Sequence, residues 1–383
     1  MIQKGQDFVR RLPDSSHHFK SATSIWRMIH LDPWLLLGLL FISCYGLVVL
    51  YSASGHNQFM VKRQLVFFAL GYAAMFATAQ FNLMFIERFS FWFYLVGVVL
   101  LVLVLVIGVG AKGAQRWLSL GFIRFQPSEI LKLAVPICVA AFFSARILPP
   151  RFTHVLVAIG FILLPAALII KQPDLGTAIL VAASGLIGLF LAGLPWRYII
   201  GTVVIIAAAS WPMWHYVMHD YQKQRVLTLL DPEADRLGSG WNIIQSKTAI
   251  GSGGWDGKGW MKGTQSQLDF LPESHTDFII AVLAEEFGMV GVLILMMGYF
   301  FIISRGLWIA AKAQRTFSRI LAGSIMLTFM VYVFVNIGMV SGLLPVVGVP
   351  LPMISLGGTS LISLMLGFGL VMAIATERKR VTV

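Results

Sequence analysis

Charge is scarce in this chain: Asp, Glu, Lys and Arg together make up 12% of its 383 residues, while 58% are hydrophobic and the mean hydropathy is +0.81. Soluble domains carry about a quarter charged residues, so a water-soluble globular protein is excluded and an integral membrane protein remains. Cysteine is nearly missing too. Cys44 and Cys138 both fall in apolar runs, which excludes a disulfide framework or a cysteine metal cluster and leaves the role of small core residues. Low-complexity stretches, heptads and clear internal repeats are absent. So is the alternation over roughly ten residues that marks a membrane β-barrel strand.

What is present is a series of hydrophobic runs, each long enough to cross about 30 Å of hydrocarbon with roughly 20 residues. They lie at about 35–53, 65–81, 91–111, 127–145, 153–170, 174–193, 197–217, 277–303, 319–342 and 358–376. The pattern predicts an all-α, polytopic integral membrane protein with ten transmembrane helices and a large extracytoplasmic loop, 218–276, between the seventh and eighth. The expected division is a cytoplasmic N-terminal segment 1–33, a membrane domain 34–376 and a cytoplasmic tail 377–383. Residues 1–33 are polar and carry Lys4, Arg10, Arg11, Lys20 and Arg27, so no cleavable signal peptide is expected. Ten spans then return Arg378, Lys379 and Arg380 to the cytoplasm, and Lys and Arg concentrate in the loops placed inside, as the positive-inside rule requires. The net charge of +12 is thereby topology signal and attraction to anionic lipid, not a nucleic-acid surface.

The 17 acids are unevenly spread: Asp220, Asp231, Glu233, Asp235, Asp256, Asp269, Glu273 and Asp277 lie in or at the edge of the long outside loop. A loop of that length among short connections is usually functional, and its segment "WNIIQSKTAI" (Trp241 to Ile250) reads as a short helix on the membrane face. The stretch "GSGGWDGKGW" (Gly251 to Trp260) fails the phosphate-loop spacing, with Gly259 where Ser or Thr is required. It does offer backbone N–H groups beside Lys258, suited to an anionic ligand.

A second group lies within the apolar runs. "FQPSEILKLA" (Phe125 to Ala134) opens a helix with Pro127 in its first turn and places Glu129 and Lys132 at i,i+3. "KQPDLGTAIL" (Lys171 to Leu180) repeats the device with Pro173 and Asp174. "LPESHTDF" (Leu271 to Phe278) opens the eighth run with Ser274 and Asp277 spaced as a capping box; the alternative has Asp277 turn its carboxylate into a cavity and leave capping to Ser274 or Thr276. All three helix starts open toward the side of the long loop. Lys132 paired with Glu129 or Asp174 is either an architectural lock or part of a polar cavity. Lys62, Arg63, Arg116 and Lys258 supply cations on the same side, a fit for a phosphate-rich headgroup. Glu285 and Glu286 have no assigned place.

The segments "RFQPSE", "QPDLGT", "GKGW", "FLPESHTDFIIAVLAEEFG" and "GVPLPMISLGGTS" together resemble the signatures of the SEDS family of shape, elongation, division and sporulation proteins. The resemblance runs from about Leu31 to Arg380 and is closer to the elongation branch than to the division branch. It implies a peptidoglycan glycosyltransferase of the bacterial inner membrane, active on the periplasmic side. The implied substrate is lipid II with its undecaprenyl chain, and the implied partners are a class B penicillin-binding protein and the elongation machinery. It implies Asp277 as the catalytic acid, Arg63 and Arg116 in the outward cavity, and Glu129, Lys132 and Asp174 as the intramembrane polar cluster. Leu356 departs from the tyrosine that many relatives carry there.

That chemistry needs one base and charge stabilisation at the leaving diphosphate. Asp277 is the candidate base, Arg63, Arg116 and Lys258 the candidate cations, and Glu273 and His275 nearby helpers. A divalent metal, Mg or Mn, is a candidate assistant. Two other classes stay open: a flippase carrying lipid II across the bilayer, and a non-catalytic scaffold that activates the penicillin-binding partner.

Overall fold

The computed structural model describes residues 25–111, 114–119, 124–218, 220–235, 239–267 and 273–377. Most of the N-terminal segment (1–24), residues 268–272 of the loop, and the basic tail 378–383 lie outside the described residues.

Each hydrophobic run is a helix. We label these α1 (Pro33–Ala53), α2 (Gln58–Ala79), α3 (Leu83–Ile107), α4 (Pro127–Ser144), α5 (Phe152–Ile170), α6 (Leu175–Leu191), α7 (Trp196–Pro212), α8 (Ile279–Lys312), α9 (Thr316–Val340) and α10 (Gly358–Thr376). Among the described residues, eight of them are long and apolar enough to cross a bilayer. The other two, α6 and α7, have 17 residues each, and α7 continues as a π-helical turn, Met213–Val217.

Several helix starts differ from the hydropathy reading because polar caps, which hydropathy does not see, set them. Asn57 accepts from Phe59 N and Met60 N, so α2 begins at Gln58 and carries Lys62 and Arg63 within its first two turns instead of leaving them in a loop. Asn82 accepts from Met84 N and starts α3 at Leu83. At its other end α3 stops at Ile107, and Gly108 leads into a small antiparallel sheet, β1 (Val109–Ala111), β2 (Ala114–Ser119) and β3 (Arg124–Phe125). The expectation of a helix to residue 111 fails there because the chain finds pairing partners for its backbone groups outside the helix.

The most enclosed helices are α4 and α9; α2 and α3 are the least. α9 packs on α4, α6, α8 and α10, α2 lies along α10, and α1 lies along α8. Leu131, Val135, Leu321, Met326, Phe329 and Phe368 form the shared core. Glycine faces permit close approach: a Cβ on Gly185 would meet Ile162 at 2.5 Å and Val135 at 2.9 Å, so small residues set the α4–α5–α6 spacing. Within the long loop, helix Ser239–Gly253 packs on α8 and α9, burying Ile243 and Ala249 and bonding Ser246 Oγ to Val340 O at 2.9 Å.

Candidate active site

One stretch, residues 347–363, touches the start of α6, Phe67, Glu129 and the segment bearing Asp277. Its early part seats α6: a Cβ on Gly176 would stand 2.8 Å from Val347 O. A Cβ on Gly348, at φ 72°, would stand 3.5 Å from Asp277 Oδ2. Leu356 N donates to His275 O at 3.0 Å, and Ser355 Oγ to Thr276 O at 2.5 Å. Gly358 faces the ring of Phe67, over which the Arg63 guanidinium sits at 5.5 Å. Ser360 and Ser363, one turn apart on α10, donate to Glu129 at 3.2 and 2.8 Å.

Asp277 is half-buried, two residues before the first residue of α8. Neither the capping box nor a cap from Ser274 or Thr276 forms. Phe278 occupies the N-cap with no side-chain cap bond, Ser274 Oγ donates to Ala53 O, and Thr276 Oγ1 donates to Glu273, to both its carbonyl and Oε2. Glu273 takes φ 57°, which turns the chain into the helix. The three carbonyls that follow, of His275, Thr276 and Asp277, each accept from a side chain or backbone of α9 or the 347–363 stretch. The backbone carrying the carboxylate is therefore fixed from outside α8. His275, also half-buried, is held through its carbonyl.

The intramembrane cluster divides into two ion pairs. Lys132 Nζ donates to Glu129 Oε1 at 2.6 Å and lies 5.0 Å from the Tyr332 ring centre, while Glu129 is 5% exposed. The i,i+3 spacing of Glu129 and Lys132 thus closes within one helix. Asp174 is the N-cap of α6, accepting from Thr177 N and Thr177 Oγ1. It also takes Gln126 Nε2 at 3.1 Å and pairs with Arg116 Nε at 3.7 Å. Arg116 donates in addition to Pro173 O, so β2 and the α6 start are joined.

Lys258 goes elsewhere. Its Nζ donates to Glu285 Oε1 at 2.8 Å and to Thr264 Oγ1 at 2.7 Å, with Glu285 fully buried. The loop N–H groups that the sequence offers to an anion are engaged: Lys258 N and Gly259 N donate to Glu285 O and Glu286 O. Glu286, also buried, accepts from Ser52 Oγ. Two acids without a place in the sequence reading thus anchor the loop and α1 to α8. Among the described residues no three His, Cys, Asp or Glu side chains gather as a ligand set.

Sequence reasoning passes over Asn336, Gln126, Ser360 and Ser363. The available signal is a polar residue inside an apolar run, as in "VFVNIGMV", or two serines at i,i+3. A groove of about 520 Å³ adjoins the cluster, bounded by α2, α3, α4 and α10. Gln126, Glu129 and Ser363 lie along it, with Phe85, Leu133 and Leu366 among its apolar walls.

The family model of FtsW, RodA and SpoVE, described as "Cell cycle protein", matches residues 25–380. Peptidoglycan glycosyltransferase MrdB of Escherichia coli (strain K12) is 56% identical over 357 residues, covering 93% of this chain and 96% of that protein. Probable peptidoglycan glycosyltransferase FtsW of Trichlorobacter lovleyi is 36% identical over 369 residues, 92% of this chain and 95% of that one. The crystal structure of the rod shape determining protein RodA of Thermus thermophilus superposes with a TM-score of 0.70 at 28% identity, covering 91% and 98% of the two chains. A chain from the structure described as "Structural coordination of polymerization and crosslinking by a peptidoglycan synthase complex" gives 0.80 at 30% identity, covering 90% and 97%.

Proposed function

The chain belongs to the FtsW, RodA and SpoVE family of cell cycle proteins and is a peptidoglycan glycosyltransferase of the inner membrane, and we propose that it polymerises lipid II on the periplasmic side by a single inverting displacement. The 4-hydroxyl of an acceptor GlcNAc attacks C1 of a donor MurNAc. The C1–O bond to the diphosphate breaks, undecaprenyl diphosphate leaves, and the α-linked donor becomes a β-1,4 linkage. The proton of the attacking hydroxyl passes to Asp277, a step that contributes about 10² to 10⁴ in rate.

The observation that carries this reading is the fixing of the Asp277 backbone by three successive carbonyl contacts. A base held in place by its surroundings loses little orientation entropy on reaching the transition state. Arg63 and Arg116 neutralise the diphosphate as charge develops on it. Arg116 suits this because Asp174 and Pro173 O already hold its guanidinium. The groove beside Glu129 takes the polyprenyl tail, its apolar walls replacing lipid contacts. Both termini lie in the cytoplasm, in keeping with the distribution of Lys and Arg. A class B penicillin-binding protein cross-links the product, a partnership supported by the likeness to the synthase-complex chain.

The test is glycan polymerisation from lipid II by purified protein with its partner in detergent micelles. Wild type makes polymer, and Asp277→Asn, folded and partner-bound, makes none. Since micelles offer no bilayer to cross, polymer there excludes a carrier-only activity. Wild-type polymerisation by Asp277→Asn would overturn the base assignment.

A further inference from the structure

Helix α8 is broken at Gly288, whose φ of 63° and ψ of −162° lie outside the helical region. The break removes the bonds that would run from Met289 N to Glu285 O and from Val290 N to Glu286 O in a continuous helix. The glycine-rich loop replaces both. Lys258 N donates to Glu285 O at 3.0 Å and Gly259 N to Glu286 O at 2.9 Å, while Met289 N donates to Gly254 O at 3.0 Å and Val290 N to Trp255 O at 3.2 Å. The loop is thus spliced into the helix, with all four orphaned groups satisfied. Its glycines serve this close approach. A Cβ on Gly257 would lie 2.3 Å from Glu286 O, and one on Gly253 would lie 2.0 Å from Ala284 O.

A charge pair closes the joint. The Glu285 carboxylate accepts Lys258 Nζ, Thr264 N at 2.7 Å and Gln265 N at 2.9 Å, so the loop folds around one buried acid. Residues 279–287, between the joint and Asp277, form a separate piece of helix in which Ile279 to Glu286 are all buried. That piece spans about 13 Å and is stiff on that scale. Fixing its inner end at the splice therefore fixes the position of its outer end, where Asp277 stands.

We propose that Lys258 is a positioning residue for glycosyl transfer, acting through Glu285 and the spliced loop on the half-helix that follows Asp277. This rests on the reading of Asp277 as the base. It also separates Lys258 from Arg63 and Arg116: Lys258 holds the protein, and they hold the substrate.

Steady-state polymerisation of lipid II by the full chain with its partner, in wild type, Lys258→Met, Lys258→Arg, Glu285→Gln and the Lys258→Met/Glu285→Gln double variant, tests this. Lys258→Met removes the cation facing a buried carboxylate and lowers kcat about tenfold or more, with KM for lipid II little changed. The double variant, which leaves no buried carboxylate without its cation, recovers most of that kcat, and Lys258→Arg keeps it. In Lys258→Met, amide exchange at Met289 and Val290 speeds up, a readout that does not depend on activity. A raised KM with unchanged kcat, or a double variant no more active than Lys258→Met, would overturn the proposal and return Lys258 to the diphosphate. An active Asp277→Asn variant overturns the base assignment alone and leaves the Lys258–Glu285 coupling to be judged on the exchange data.

Discussion

The side-chain amide of Asn336, on α9 and fully buried, donates to Asp277 O at 2.9 Å and to Val349 O at 2.7 Å. Both neighbours are carbonyl oxygens, so only the NH₂ group can face them, and the orientation of the amide is decided by its partners. One residue near the end of α9 thereby ties the loop bearing the candidate base to the loop that seats it.

Asn336→Leu removes two donors and leaves two buried carbonyls to be satisfied, each at about 1–3 kcal/mol. The expected outcome is a protein that still inserts but polymerises at least about tenfold more slowly, since a small displacement of a base is costly. Asn336→Asp is expected to be worse than Asn336→Leu, because a carboxylate would face two oxygens. Initial rates on lipid II check both, and a wild-type rate for Asn336→Leu would remove the clamp from the mechanism.

Lys132→Met leaves Glu129, among the described residues, with the hydroxyl donors of Ser360 and Ser363. Breaking a buried pair from one side costs about 3–5 kcal/mol, so the midpoint of thermal unfolding in detergent falls. Glu129→Gln combined with Lys132→Met restores most of the stability. Polymerisation by that double variant then separates architecture from function: a stable, inactive double variant places the cluster in the reaction, and a stable, active one makes it a lock between α4 and α10.

Gly288→Ala introduces a Cβ that would lie 2.4 Å from both Gly257 N and Trp255 O, at a backbone conformation that is nearly glycine-only. The loop has to leave the splice or the half-helix has to shift. Loss of exchange protection at Met289 and Val290, with other parts of α8 unchanged, is the expected signature, accompanied by a lower folded yield.

Much of this was written into the chain as local chemistry. The helices follow from apolar runs, eight of them among the described residues long enough to cross a bilayer, because unpaired backbone groups are not tolerated in hydrocarbon. The Glu129–Lys132 pair is one of the two pairings that the spacing allowed, and a helix start at Asp174 follows from the apolar run after it. Motif order pointed to the family.

The relations between segments were not legible, because they join residues far apart in sequence. Ser274 and Asp277 read as a capping box, but that depends on local donors being unclaimed, and Ala53 O and the 347–363 stretch settle the matter differently. Lys258 read as a free cation beside open N–H groups, since nothing nearby in sequence shows Glu285 waiting 27 residues later or a helix broken to receive the loop. Glycine, cap and charge are properties of the sequence. Which partner each one finds is decided by packing, which alone brings the partners within hydrogen-bonding distance.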